Sequence, residues 1–124
     1  MATILTDKQI RDMLEGKKSG IRIEKYDPKS KCVQPASYDF RLGKKAIIPN
    51  HTFFEKDGTK QIESREVNVE EEGEIKIQSG GYALVTTYEC VELSSQYAGR
   101  IGLTSSFTRK GLILLAGPQI DLRF

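Results

Sequence analysis

Tryptophan is absent from these 124 residues, histidine occurs once and cysteine twice. Each scarcity removes a chemistry. A zinc site needs three or four closely arranged Cys, His or carboxylate ligands. His51 stands alone in "PNHTFF", and Cys32 and Cys90 lie too far apart in sequence for a Cys-x-x-Cys pair. A zinc-type nucleobase deaminase would also need His-x-Glu, which does not occur, so no zinc is expected. A Ser–His–acid triad would have to use His51, and nothing near it recommends that role. Neither GxxxxGK[ST] nor GxGxxG is present, which excludes the common nucleotide-cradling loops. Charge of one sign is also scarce: 19 Lys and Arg face 17 Asp and Glu, a net +2. The basic residues come as scattered pairs (Lys17–Lys18, Lys44–Lys45, Arg109–Lys110) and form no stripe, so no nucleic-acid partner is expected. The longest apolar run, Leu112 to Ala116, is far too short to span a bilayer. "MATILTDKQ" lacks the basic head and apolar core of a signal peptide. Two distant cysteines suit reduced thiols. The expectation is a cytoplasmic protein with no membrane partner.

The composition is that of an ordinary globular chain, 38% hydrophobic and 29% charged, and the length suits one domain over residues 1–124. Thr6 with Gln9 three residues on forms a capping box, and Leu5 with Ile10 a hydrophobic staple. Ile10, Met13 and Leu14 make one stripe, and Gly16 is a stop. The spacing predicts a helix over 7–15. Beyond it the period becomes two. "GIRIEKY" alternates, and "ASYDFRLG" sets Tyr38, Phe40 and Leu42 against Ser37, Asp39 and Arg41, which turns Asp39 away from the aromatic face. "KDG" at Lys56–Gly58 signals a hairpin. "REVNV", "GEIKIQ" and "YALVTTYECVEL" read as strands, and "VEEEGE" as a solvated turn. "GLILLAG" reads as a strand buried on both faces. Short strands between Gly turns predict an all-β fold with a short N-terminal helix.

One stretch carries chemistry. In "TSSFTRKG", the hydroxyls of Ser105 and Ser106 precede Arg109 and Lys110. Hydroxyls can cradle phosphate oxygens, and arginine neutralises them bidentately. Three blocks in order, "QPASYDFRLG" (Gln34–Gly43), "AGRIGLTSSFTRKGL" (Ala98–Leu112) and "AGPQID" (Ala116–Asp121), resemble the dCTP deaminase/dUTPase family. The opening "ILTDKQIRDMLEGKKSGIRIEKYDPK" is similar to the deaminase branch, since simple dUTPases usually lack this helix. The resemblance runs from Ile4 to Phe124.

The resemblance implies a distorted jelly-roll (β-clip) fold and a homotrimer with active sites between subunits, each taking dCTP or dUTP with Mg²⁺. It implies phosphate contacts from Ser105, Ser106 and Lys110. Arg109 corresponds to an arginine supporting deamination, Asp39 to an aspartate holding the metal through water, and Asp121 to one orienting the attacking water in hydrolases. The implied function is a zinc-independent deamination of dCTP to dUTP, with onward hydrolysis of dUTP as a further step. A dUTP pyrophosphatase and a catalytically inactive nucleotide-binding or regulatory trimer are the alternatives. The chain departs from the pattern in several places. Thr104 stands where the family usually has arginine. Pro118 and Gln119 stand between Gly117 and Ile120, and Arg123 replaces a glycine. The sequence also stops before the family's next strand, which bears the deaminase's general-base glutamate, and before the hydrolases' C-terminal arm. The expectation is a C-terminally truncated domain.

Overall fold

The computed structural model describes residues 2–54, 56–58, 60–117 and 119–120, for 50–54 and 60–63 the backbone alone. Its elements, in order, are α1 (Asp7–Leu14), β1 (Ile21–Glu24), β2 (Val33–Gln34), β3 (Ser37–Tyr38), β4 (Leu42–Phe54), β5 (Lys60–Asn68), α2 (Val69–Glu72), β6 (Leu84–Thr87), β7 (Cys90–Leu93), β8 (Gly99–Arg100), α3 (Ser105–Thr108) and β9 (Gln119–Ile120). The mostly-β expectation holds. The described strands form four small antiparallel sheets, ordered β1-β7, β2-β3, β5-β4-β6 and β8-β9, and none closes into a barrel. The chain divides into two compact units, Met1–Phe40 with Glu89–Phe124, and Arg41–Tyr88.

In the first unit, α1 starts as the sequence requires. Thr6 Oγ1 accepts from Gln9 N at 3.4 Å, and Gln9 Oε1 accepts from Thr6 N at 2.9 Å. The chain leaves the helix through Gly16 at φ 76°, a left-handed conformation that glycine adopts without penalty. Ile10 and Met13 are buried. They share the core with Ile23, Cys32, Val33 and Leu93. Thr6→Ala should remove the cap and lower stability by about 1 kcal/mol, read as a shift in the thermal midpoint by circular dichroism. The antiparallel β1–β7 pair sets Ile23 opposite Val91 and Arg22 opposite Glu92. On its wet face Arg22 bridges Glu24 at 2.9 Å and Glu92 at 3.2 Å. All three side chains are more than half exposed, so the bridges fix register more than they stabilise.

In the second unit, β4 and β5 form the hairpin signalled by "KDG", with Gly58 at φ 85°. Ala46 faces Val67 on one side and Val85 on the other, and Ala46 and Val67 are buried almost completely. The helical turn α2 is capped by Asn68, whose Oδ1 accepts from Glu70 N at 3.1 Å, and it ends at Gly73 with φ 75°. Lys44 reaches Glu70 at 2.9 Å. That hydrogen bond, followed by the carboxylate's charge, raises the lysine's pKa.

Several expected strands are not strands. "ASYDFRLG" is broken: β3 ends at Tyr38 and β4 begins at Leu42, because Ser37 and Tyr38 fold back on Gln34 and Val33 in a tight hairpin through Pro35 and Ala36. "VEEEGE", read as a solvated turn, takes the form of the helical turn α2, with residues 70–74 exposed. "GEIKIQ" joins no ladder among the described residues, and "YALVTTYECVEL" breaks at Tyr88–Glu89 into β6 and β7. "GLILLAG" is the largest correction. It pairs with no described strand, and Ile113 is 80% and Leu115 81% exposed. An apolar run forms a buried strand only when partners flank it on both sides, and none of the described elements does.

Candidate functional site

The serine motif occupies the loop that starts at Ile101 and is described as far as Gly117, and β8 and β9 close its base: Gly99 pairs with Ile120 and Arg100 with Gln119. Gly99 suits that base, because a Cβ there would lie 3.3 Å from Ile120 Cδ1. Within the loop, Thr104 adopts an extended backbone and starts the single helical turn α3. Phe107 N donates to Thr104 O at 3.1 Å, and Arg109 N to Ser105 O at 3.0 Å. Gly111, at φ 87°, ends the turn and donates to Thr108 O at 3.0 Å.

This turn gathers four of the six residues singled out above. Ser105, Ser106, Arg109 and Lys110 lie within one turn and are all exposed. The structure also identifies hydroxyls that the motif reading passed over. Thr104 Oγ1 and Ser106 Oγ are 3.0 Å apart, and Thr108 Oγ1 donates to Thr104 O at 3.3 Å. The signal was legible as Thr-Ser-Ser-x-Thr. The Thr104 hydroxyl thus pairs with that of Ser106.

The electrostatics favour an anion. No Asp or Glu occurs between Glu92 and Asp121, while Arg100, Arg109 and Lys110 do. No ion pair of the described residues engages Arg109 or Lys110. Lys110 Nζ sits 6.0 Å over the Phe107 ring, at the outer limit of a cation–π contact.

Asp39 lies elsewhere in the same unit, on the strand end after β3. Its backbone N–H donates to Cys32 O at 2.8 Å. Flanking it, Tyr38 packs against Phe40 at 5.0 Å between ring centroids and against Tyr26 at 6.3 Å, so the aromatic alternation persists past the strand. Asp39 itself is half-buried. No hydrogen bond or ion pair of the described residues joins it to Ser105–Lys110. Asp121 lies outside the described residues, as do Pro118 and Arg123. His51 belongs to β4, and its side chain is not described. Among the described residues no three His, Cys, Asp or Glu side chains gather closely enough to cage a metal ion. No described helix is long and apolar enough to cross a membrane.

Comparison with known proteins agrees with the motifs. The family model described as dCTP deaminase-like matches residues 4–124. A dCTP deaminase of Thermococcus sibiricus is 38% identical over 110 residues, covering 89% of this chain and 56% of that protein. A "dCTP deaminase, dUMP-forming" of Streptomyces griseus is 33% identical over 113 residues, covering 89% of this chain and 57% of the relative. A protein of the same description from Tropheryma whipplei is 35% identical over 113 residues, covering 89% and 56%. The chain thus spans about half the length of the curated relatives it matches. With the match running through both the first motif and the serine turn, the chain belongs to the dCTP deaminase-like family.

Proposed function

We propose that this chain carries the phosphate-binding turn of a dCTP deaminase-type domain. The observation that carries the reading is the turn itself: the hydroxyls of Ser105 and Ser106 and the cations of Arg109 and Lys110 are exposed together, in a stretch free of carboxylates. A nucleoside triphosphate brings about four negative charges. Exposed cations and hydroxyls satisfy its oxygens with charge-assisted hydrogen bonds. Arg109 supplies a planar fork and Lys110 a point charge.

The reaction is dCTP and water to dUTP and ammonia. Water adds at C4 of the cytosine, a carboxylate carries its proton to the departing amine, and the pyrimidine carbonyl re-forms. Arg109 stays protonated, so it orients and stabilises but accepts no proton. Hydrolysis of dUTP to dUMP and pyrophosphate is the second step we propose, supported by relatives named as dUMP-forming. Asp121 is the proposed orienter of the attacking water.

Mg²⁺ would arrive with the triphosphate. It keeps mostly water and phosphate oxygens and needs only one or two protein carboxylates. Asp39, half-buried and without an ion pair among the described residues, fits that demand through water. When bound, the ion supplies charge neutralisation on the phosphates. A homotrimer with sites between subunits, in the cytoplasm where deoxynucleotides are made, completes the reading.

The test is incubation of the purified chain with dCTP or dUTP and Mg²⁺, followed by separation of the products by chromatography and light scattering on the same sample. Conversion of dCTP to dUTP or dUMP supports the deaminase reading. Turnover of dUTP alone, lost in Asp121→Asn, selects the pyrophosphatase. Binding without turnover selects a nucleotide-binding regulator.

A further inference from the structure

Thr104 immediately precedes α3, with φ −63° and ψ 152°. A threonine in that place ordinarily turns its hydroxyl onto an amide of the first helical turn, as Thr6 does before α1. The Thr104 hydroxyl makes no such bond. It lies 3.0 Å from Ser106 Oγ instead. The rest of the residue is held in place. Its carbonyl oxygen accepts from Phe107 N at 3.1 Å, from Thr108 N at 3.1 Å and from Thr108 Oγ1 at 3.3 Å. Branching at Cβ further restricts χ1. The Thr108 hydroxyl thus spends its proton on the backbone, while the Thr104 hydroxyl is aimed at a serine that is exposed to solvent.

A bound anion would give the Thr104–Ser106 bond a direction. Each hydroxyl has one proton to donate and two lone pairs to accept with. An ionised phosphate oxygen only accepts. If Ser106 gives its proton to that oxygen, it has only lone pairs left for Thr104, so Thr104 must be the donor. A hydroxyl that accepts one hydrogen bond donates the next more strongly. A side chain already held in place also loses less freedom on binding. Water can replace Thr104 as a donor to Ser106, but not from a fixed position.

We propose that Thr104 is a positioning residue of the anion-binding turn: its hydroxyl donates to Ser106 Oγ and so commits the Ser106 proton to a phosphate oxygen of the ligand. The inference rests on the phosphate-binding reading of this turn. It adds a residue that touches no ligand and acts through Ser106.

The experiment is a double-mutant cycle, read by titration calorimetry with Mg·dCTP and, separately, with inorganic tripolyphosphate and Mg²⁺. Thr104→Val keeps the shape and loses the hydroxyl, and should weaken binding of both probes about 2- to 12-fold, the range for one neutral hydrogen bond. Thr104→Ser restores the hydroxyl and should recover most of the affinity. Thr104→Val added to Ser106→Ala should cause no further loss, because the two act as one unit. Thr108→Val removes a hydroxyl of the same turn that serves only the backbone, and should change binding little. Circular dichroism checks that each variant folds; if Thr104→Val does not, Thr104→Ala takes its place in the cycle. Additive losses for Thr104→Val and Ser106→Ala would overturn the inference and leave the phosphate-binding reading standing. So would a loss in Ser106→Ala with none in Thr104→Val, or a failure of Thr104→Ser to rescue. Unchanged binding in Ser106→Ala would remove the serine's phosphate contact and this inference with it.

Discussion

Arg109→Ala is expected to weaken binding of Mg·dCTP about 10- to 150-fold, measured by titration calorimetry. The guanidinium pairs with no carboxylate among the described residues, so its removal breaks no internal ion pair and the loss falls on the ligand. A hydrogen bond to a charged group is worth about 1.5–3 kcal/mol, which converts to that range. Arg109→Lys should restore only part of the affinity, because an ammonium cannot offer two parallel donors to one phosphate. Ser105→Ala with Ser106→Ala should cost less, about 1 kcal/mol per neutral hydrogen bond. Lys18→Ala, an exposed cation next to α1, is the control and should change little. The wild-type affinity should also fall as salt is raised, because exposed cations are screened. Equal binding by wild type and Arg109→Ala would remove the phosphate role from this turn.

Gly43→Ala is expected to destabilise the second unit strongly. A Cβ at Gly43 would lie 2.5 Å from Thr86 Oγ1, 2.8 Å from Thr86 O and 3.0 Å from Thr87 O. The last two are backbone atoms of β6, beside the irregularity in the β4–β6 register between Leu42 and Ala46. The hydroxyl can rotate away, whereas the carbonyls cannot move without parting the strands. Overpacking of this kind costs about 1–3 kcal/mol, and a thermal melt should show a drop of several degrees. Thr86→Ala should rescue only the part owed to the hydroxyl, so the double variant remains well below wild type. Gly102→Ala, where a Cβ meets nothing within 4 Å, should be near neutral. A melt for Gly43→Ala within a degree of wild type would show that the β4–β6 spacing relaxes freely. The final glycine of "QPASYDFRLG" is therefore explained by backbone approach between strands.

The features that the amino-acid sequence determined by itself are those whose partners sit three or four residues away. Thr6 and Gln9 close their capping box within one turn, Gly16 and Gly58 take the left-handed conformations their positions require, and Ser105–Lys110 fold into a turn through local hydrogen bonds. The motif blocks likewise carried the family, because their residue types are dictated by one chemistry. Strand formation was decided only by the tertiary structure. A strand needs the N–H and C=O groups of a distant segment, and period-two alternation states which face would be buried without naming the partner. Val33–Tyr38 found its partner within its own motif and became a hairpin, "YALVTTYECVEL" divided between two sheets, and "GEIKIQ" and "GLILLAG" found none among the described elements. Burial of Glu89, 3% exposed at the break before β7, was equally invisible, since nothing adjacent in sequence records what folds over it.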